Sequence, residues 1–135
     1  AEGEGFRLLM QELGWERLQI AIGGVATAAA ALDWTIEYTK QRSVFGQKVA
    51  DFQNTRFKLA ELKTQVQIAQ VFVDCCLDLT LRNELDPTTA AMAKYWCTEL
   101  QFRTCDECLQ LHGGYGYIGE YPIARAFADS RVHRI

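Results

Sequence analysis

Apolar positions recur every three or four residues along most of this chain, the spacing of one buried stripe on an α-helix. Phe6, Leu9, Met10 and Leu13 predict a short amphipathic helix over residues 4–13, with Gly14 placed to interrupt it. Leu18, Ile22, Val25, Ala29, Leu32 and Ile36 predict a long second helix over residues 15 to about 42. The period breaks at residues 43–46, which read as a turn. A third helix is expected from about residue 52 to residue 85, with Phe57, Leu59, Leu62, Val66, Ile68, Ala69, Phe72, Val73 and Cys76 facing inward. Asp86 and Pro87 then give an N-cap and a proline at the first helical position. The fourth helix runs from there to Leu111, with Ala91, Met92, Tyr95, Trp96, Leu100 and Leu109 apolar. Pro122 opens a short last helix holding Ile123, Ala126 and Phe127. No alternating strand pattern and no internal repeat is present. The expected fold is all-α, an antiparallel helical bundle of three long helices with short flanking ones. Such a bundle has an open side. A fourth helix could come from residues 4–13, from sequence beyond the chain, or from another subunit.

Residues 110–119 stand apart. Gly113, Gly114, Gly116 and Gly119 fall within seven residues, and Tyr115 and Tyr117 alternate with them. Two readings apply. Gly113 can simply end the preceding helix. The three glycines left over suit a loop whose backbone approaches a ligand. Gly114, Gly116 and Gly119 also fit G-x-G-x-x-G, but that fingerprint marks a dinucleotide turn only between a strand and a helix. A helix precedes it here, so the Rossmann reading is rejected.

Composition narrows the classes. A chain of 135 residues can bury one core. With 49% hydrophobic and 23% charged residues, it reads as globular rather than disordered. A net charge of −3 without a basic block argues against nucleic acid. No apolar run reaches the length expected of a membrane span, and the first residues do not resemble a signal peptide. The five cysteines, Cys75, Cys76, Cys97, Cys105 and Cys108, form no even disulfide framework. Cys105 and Cys108 make a C-x-x-C inside a helical pattern, without the partners a zinc site needs, so no metal site is expected. The cysteines read as small buried residues in a reducing compartment.

Several polar residues carry two readings each. Glu16 opens the long second helix, where a carboxylate answers the helix dipole. The functional reading, second to that one on the residues alone, is a general base held at a helix end beside small residues that could admit substrate. Arg42 at the other end either answers the dipole or pairs with a phosphate. Gln53 is a surface residue or an amide donor to a ligand. His112 borders the glycine loop, where a lone histidine can be structural. The small residues Gly23, Gly24, Ala26, Ala28, Ala29 and Ala30 let a helix approach closely or leave room for a ligand.

The order of these pieces is specific. Glu16-Arg17, Tyr38 to Arg42, Phe45-Gly46-Gln47, Gln53, Ala93-Lys94 and Gln110 through Gly114 occur in sequence. Tyr117, Glu120-Tyr121-Pro122, Arg125, Asp129 and Arg131 follow. Together they closely resemble the C-terminal helical domain of acyl-CoA dehydrogenases, over essentially the whole chain. Lys94-Tyr95-Trp96, Glu99-Leu100-Gln101 and Glu107 through Gly114 look most like the long-chain branch.

The resemblance implies a larger parent with an N-terminal helical domain, a middle β domain and this bundle. Residues 1–135 are then a C-terminal domain without the other two domains or the family's last helix, and by themselves inactive. The parent would use FAD to oxidise acyl-CoA to trans-2-enoyl-CoA. It would pass electrons to electron-transferring flavoprotein and form a homotetramer or dimer. Bacterial cytoplasm and mitochondrial matrix both suit. Arg42, Phe45, Gln53, Gln110, Leu111, His112, Gly113 and Gly114 match the family's cofactor-contacting positions. Gly14, Trp15 and Arg17 fall in its substrate-contacting stretch, where Arg17 would hold Glu16 or the substrate by charge. Some members carry the catalytic glutamate at the position of Glu16, others in a segment just beyond Ile135. Glu16 is the expected base. Exposed apolar faces of the isolated chain should drive self-association. The alternative is a helical interaction or oligomerisation module that keeps the bundle without the chemistry.

Overall fold

A computed structural model describes residues 2–135. Helix α1 spans Gly5–Gln41, and a small hairpin follows, β1 (Ser43–Val44) and β2 (Gln47–Lys48). Helix α2 spans Gln53–Leu81, α3 spans Pro87–His112 and α4 spans Pro122–His133. Short 3-10 turns at Val49–Asp51 and Gly113–Tyr117 lead into α2 and out of α3. The all-α architecture forms as expected, with three long helices and, of the expected short flanking ones, only the last.

Two boundaries differ from the sequence reading. Residues 4–13 are not a separate helix, because α1 runs through Gly14 without a break. A glycine costs a helix about 1 kcal/mol against alanine but does not remove a hydrogen bond as proline does. The N-terminal part of α1 overhangs the bundle. Phe6, Leu9 and Met10 are exposed there, so this segment does not supply the missing fourth helix. Helix α2 stops at Leu81, short of residue 85. Asn83 takes φ 58°, its N–H donates to the Thr80 carbonyl, and the Glu84 N–H donates to the Leu79 carbonyl at 2.8 Å. That is a Schellman stop with asparagine in the place glycine usually takes.

Helix α3 starts as predicted. The Asp86 carboxylate accepts from the Thr88 and Thr89 N–H groups at 2.9 and 3.0 Å. The hairpin was read only as a turn. Its central residues Phe45 and Gly46 have φ of 51° and 84°, the left-handed pair that a two-residue hairpin favours.

The core joins Leu18, Val25, Ala28 and Leu32 of α1 to Leu62, Val66 and Val73 of α2 and to Ala93, Cys97 and Leu100 of α3. Fully burying each large aliphatic stabilises the fold by about 1.5–3 kcal/mol. Small residues set the α1–α3 spacing. A Cβ added at Gly24 would stand 3.3 Å from both the Cys97 carbonyl oxygen and Gln101 Oε1. Ala28, Ala31, Ala90 and Ala93 are also fully buried. The core stripe of α3 is therefore its small side, while Met92, Tyr95 and Trp96, named above as apolar positions of this helix, face outward. Phe57 and Ile68 of α2 are likewise exposed rather than inward. Cys76, Cys97, Cys105 and Cys108 are buried as expected, and Cys75 is exposed.

Because α1 is one helix of 37 residues, it is long and apolar enough by composition to cross a membrane. The expectation that no run reaches that length is not met on this measure. In the fold, its Leu18–Leu32 stripe is packed in the core.

Candidate functional site

A cavity of about 630 Å³ opens where the C-terminal ends of α1 and α3 meet. Tyr38 and Arg42, one helical turn apart, contribute from α1. Val44 and Val49 come from the hairpin and the turn after it. Gln110, Leu111 and His112 end α3, and Gly113, Gly114, Tyr115 and Ile118 complete the lining.

The wall is an aromatic cluster. The Tyr38 ring stacks on His112, and its hydroxyl donates to the His112 carbonyl oxygen at 3.1 Å. Tyr115 and Tyr121 each stand edge to face with the Tyr38 ring and lie tilted against each other. The Arg42 guanidinium lies over the Tyr115 ring, 5.2 Å from its centroid, held there by the ring quadrupole. Arg42 has no carboxylate partner among the described residues, so its donors remain available to a ligand.

His112 is buried, and its Nδ1 lies 2.8 Å from the Cys108 carbonyl oxygen. A carbonyl only accepts, so Nδ1 carries the proton and Nε2 is left as an acceptor. Burial lowers the imidazole's pKa, with the Cys108 bond opposing. Burial also raises the Tyr38 pKa, partly offset by the nearby Arg42 charge. Beneath the site, burial pushes the Cys105 thiol up to about 12 and Cys108 to about 11. Neither is a thiolate nucleophile at neutral pH.

The glycines divide their tasks. Gly113 has φ 59° and caps α3, so the helix-end reading is correct, yet it also lines the cavity. Nothing lies within 4 Å of a Cβ built at Gly113 or Gly114, so a ligand can reach the backbone there. Gly116 is buried, and its added Cβ would lie 2.5 Å from the Leu109 carbonyl oxygen. Only glycine fits where the turn folds back on α3.

Six predicted cofactor contacts thus converge: Arg42, Gln110, Leu111, His112, Gly113 and Gly114. Phe45 and Gln53 do not. Phe45 projects from the hairpin tip, 96% exposed, and Gln53 is exposed at the start of α2. Tyr38, Val44, Val49, Tyr115 and Ile118 were missed. The one-turn spacing of Tyr38 and Arg42 was a legible signal. Val44 and Val49 had none, because a two-residue strand and a three-residue turn leave no periodicity.

The predicted substrate residues lie near the other end of α1. Gly14, Trp15 and Arg17 line a cavity of about 400 Å³ with Met10, Thr80, Asn83 and Pro87. Glu16 is exposed and points away from this cavity, and no ion pair joins it to Arg17. Adjacent helical residues diverge by about 100°. Arg17 therefore faces the cavity and leaves Glu16 on a separate exposed line with Gln19, Gly23 and Ala26.

Residues 3–135 match the profile described as acyl-CoA dehydrogenase, C-terminal domain. The mitochondrial long-chain specific acyl-CoA dehydrogenase of Mus musculus is 49% identical over 134 residues, covering 99% of this chain and 31% of the relative. An acyl-CoA dehydrogenase structure from Geobacillus kaustophilus superposes with a TM-score of 0.96 at 41% identity, over 100% of this chain and 36% of that one. One from Bacillus anthracis, complexed with FAD, gives 0.91 at 27% identity, over 98% and 26%. The chain spans about a third of the length of the curated relatives it matches. With its bundle, its glycine-rich turn and this match over nearly every residue, the chain belongs to the acyl-CoA dehydrogenase family, as that family's C-terminal domain.

Proposed function

We propose that this chain is the C-terminal domain of an FAD-dependent dehydrogenase that converts acyl-CoA thioesters, of long acyl chain, to trans-2-enoyl-CoA. The observation that carries the reading is the meeting of Arg42, Gly113, Gly114 and Tyr115 in one cavity. A free cation, bare backbone and a flat ring suit a diphosphate joined to a nucleoside. FAD, when bound, supplies the acceptor for the β-hydride. Arg42 would hold the diphosphate by charge, while Gly113 and Gly114 let it approach the main chain. Phe45 and Gln53 would reach the same cofactor from outside the cavity.

Glu16 would take the α-proton, as a carboxylate whose oxygen can reach the hydrogen on the thioester's α-carbon. Arg17, with Gly14 and Trp15, would hold the polar end of the substrate in the neighbouring cavity. Glu16 and Arg42 stand about 39 Å apart along α1. One dinucleotide cannot place its flavin at the first and its diphosphate at the second. The cavity at Arg42 therefore serves the cofactor of a neighbouring subunit, which makes the parent a homo-oligomer. Electrons would leave to electron-transferring flavoprotein, in bacterial cytoplasm or mitochondrial matrix.

The test is the flavin spectrum of the full-length protein, wild type and Glu16→Gln, titrated with acyl-CoAs of graded length. Bleaching by wild type alone, with FAD retained in both, supports the activity and the base. Bleaching by both moves the base to the segment beyond Ile135. No flavin and no bleaching in wild type leaves the non-catalytic interaction module.

A further inference from the structure

His112 brings one unused hydrogen-bond acceptor to the Arg42 cavity. Its ring face lies against Tyr38, and Tyr121 stands edge to face with it. Nδ1 donates to the Cys108 carbonyl oxygen, so Nε2 carries a lone pair and no hydrogen. No group among the described residues bonds to Nε2. Among those residues, the one fully buried side-chain polar atom without a partner is Thr104 Oγ1. Nε2 is therefore not sealed in the core, although His112 as a whole is only 4% exposed. It opens where the residue lines the cavity.

The surroundings keep this atom an acceptor. The titratable and charged groups around the ring are Tyr38 and Arg42 from α1, Cys108 on α3, Tyr115 from the turn after it and Tyr121 just before α4. None of them is an anion at neutral pH, and Arg42 is a cation. An imidazolium would have no counter-charge there. Burial acts in the same direction by lowering the imidazole's pKa.

Arg42 and Nε2 suit different parts of a dinucleotide. A guanidinium only donates, and a diphosphate only accepts. Nε2 needs a donor. The nucleoside half carries donors, in its ribose hydroxyls and in the exocyclic amine of adenine.

We propose that His112 Nε2 accepts a hydrogen bond from the nucleoside half of the cofactor and so selects for a donor at that place. The inference rests on the reading of the Arg42 cavity as a cofactor site and deepens it.

The test titrates FAD and two analogues into the full-length apoprotein, wild type and His112→Leu, followed by flavin fluorescence. One analogue has the adenine amine replaced by hydrogen, and the other lacks both hydroxyls of the adenosine ribose. At least one should bind wild type about three- to tenfold more weakly than FAD, and the one that does identifies the donor. In His112→Leu that difference should vanish. The wild-type comparison needs no mutation, so it stands even where the leucine variant folds poorly. Both analogues binding wild type as tightly as FAD overturns the proposal. The same discrimination in His112→Leu also overturns it, by placing the acceptor on another residue.

A pH series gives a second readout. Wild-type affinity for FAD should fall as pH drops below about 6.5, as Nε2 gains a proton, and His112→Leu should show no such fall. Affinity that rises on acidification would mean an imidazolium paired with the diphosphate, and would overturn the acceptor role. Arg42→Gln separates this inference from the reading beneath it. Unchanged FAD affinity in Arg42→Gln removes the cavity from the cofactor site and both fall. Weakened affinity there, with no discrimination at His112, overturns this inference alone.

Discussion

The Tyr38 ring lies on the His112 imidazole with centroids 4.2 Å apart and 21° between planes, while the Tyr38 hydroxyl donates to the His112 main chain. This one pair fastens the end of α1 to the end of α3 at the rim of the Arg42 cavity. Tyr38→Phe keeps the stack and loses the hydrogen bond, and should cost about 1 kcal/mol. Tyr38→Ala also loses the stack and leaves a gap, and should cost about 3–5 kcal/mol. Urea unfolding of the two variants checks the order. Equal losses would mean that the ring contact contributes nothing beyond the hydroxyl.

His112 makes stability depend on pH. Burial lowers its folded pKa, so below the ordinary histidine value the unfolded chain binds the proton more readily. Its contribution is complete above about pH 6.5 and falls as pH drops through that value toward the folded pKa. His112→Phe keeps a ring against Tyr38 and removes the titration. Urea midpoints from neutral pH down to about pH 5 should fall less for the variant than for wild type, once the carboxylate contribution common to both is subtracted. Parallel slopes would assign the loss to other groups.

Periodicity was enough to find the long helices and the Leu18–Leu32 stripe, because burial on one face repeats with the helical turn. It failed where spacing alone does not choose a side. Met92, Tyr95 and Trp96 are at core spacing, but Ala93 and Cys97 face α1, because Gly24 brings the two backbones too close for large side chains. The end of α2 was missed because Asn83 performs a stop usually signalled by glycine. In the site, Gly113 and Gly114 were legible from composition. Tyr115 was legible only as a flat surface, since its contact with Arg42 joins residues far apart in the chain.

Two adjacent glycines of α1 should respond in opposite directions. A side chain at Gly24 meets the Cys97 carbonyl and Gln101, so Gly24→Val should separate α1 from α3 and cost about 1–3 kcal/mol or more. Gly23 is exposed, with nothing within 4 Å of an added Cβ. Gly23→Ala should stabilise the helix by about 0.5–1 kcal/mol. Thermal unfolding of both variants decides. A loss at Gly23 equal to that at Gly24 would mean its open face is filled in the assembled protein.

FAD affinity should depend on the lining of the Arg42 cavity. Losing a charge-assisted contact costs about 1.5–3 kcal/mol, so Arg42→Gln in the full-length protein should weaken FAD binding roughly 10- to 100-fold. Arg42→Lys keeps the charge but not the planar fork and should fall between. Tyr115→Leu removes the ring that orients Arg42 and should weaken binding by about two- to fivefold. FAD titration of the apoprotein, followed by flavin fluorescence, measures all three. Unchanged affinity in Arg42→Gln would remove the cavity from the cofactor site.

Substrate length should depend on the exposed line that α1 carries beyond Glu16. Gly23 and Ala26 share that line, and both are small and exposed. If Glu16 holds the α-carbon, the acyl tail can lie over these two residues, each helical turn covering about 5.4 Å. Gly23→Phe or Ala26→Leu would put bulk on that line without touching the base. Both variants should keep their rate on short acyl-CoAs and lose kcat/KM on long ones. One blocked methylene is worth about 0.8 kcal/mol, so two or three should lower long-chain kcat/KM by about ten- to fiftyfold. The same loss at every chain length would point to damage at Glu16 or in the bundle. An unchanged preference would place the acyl tail elsewhere.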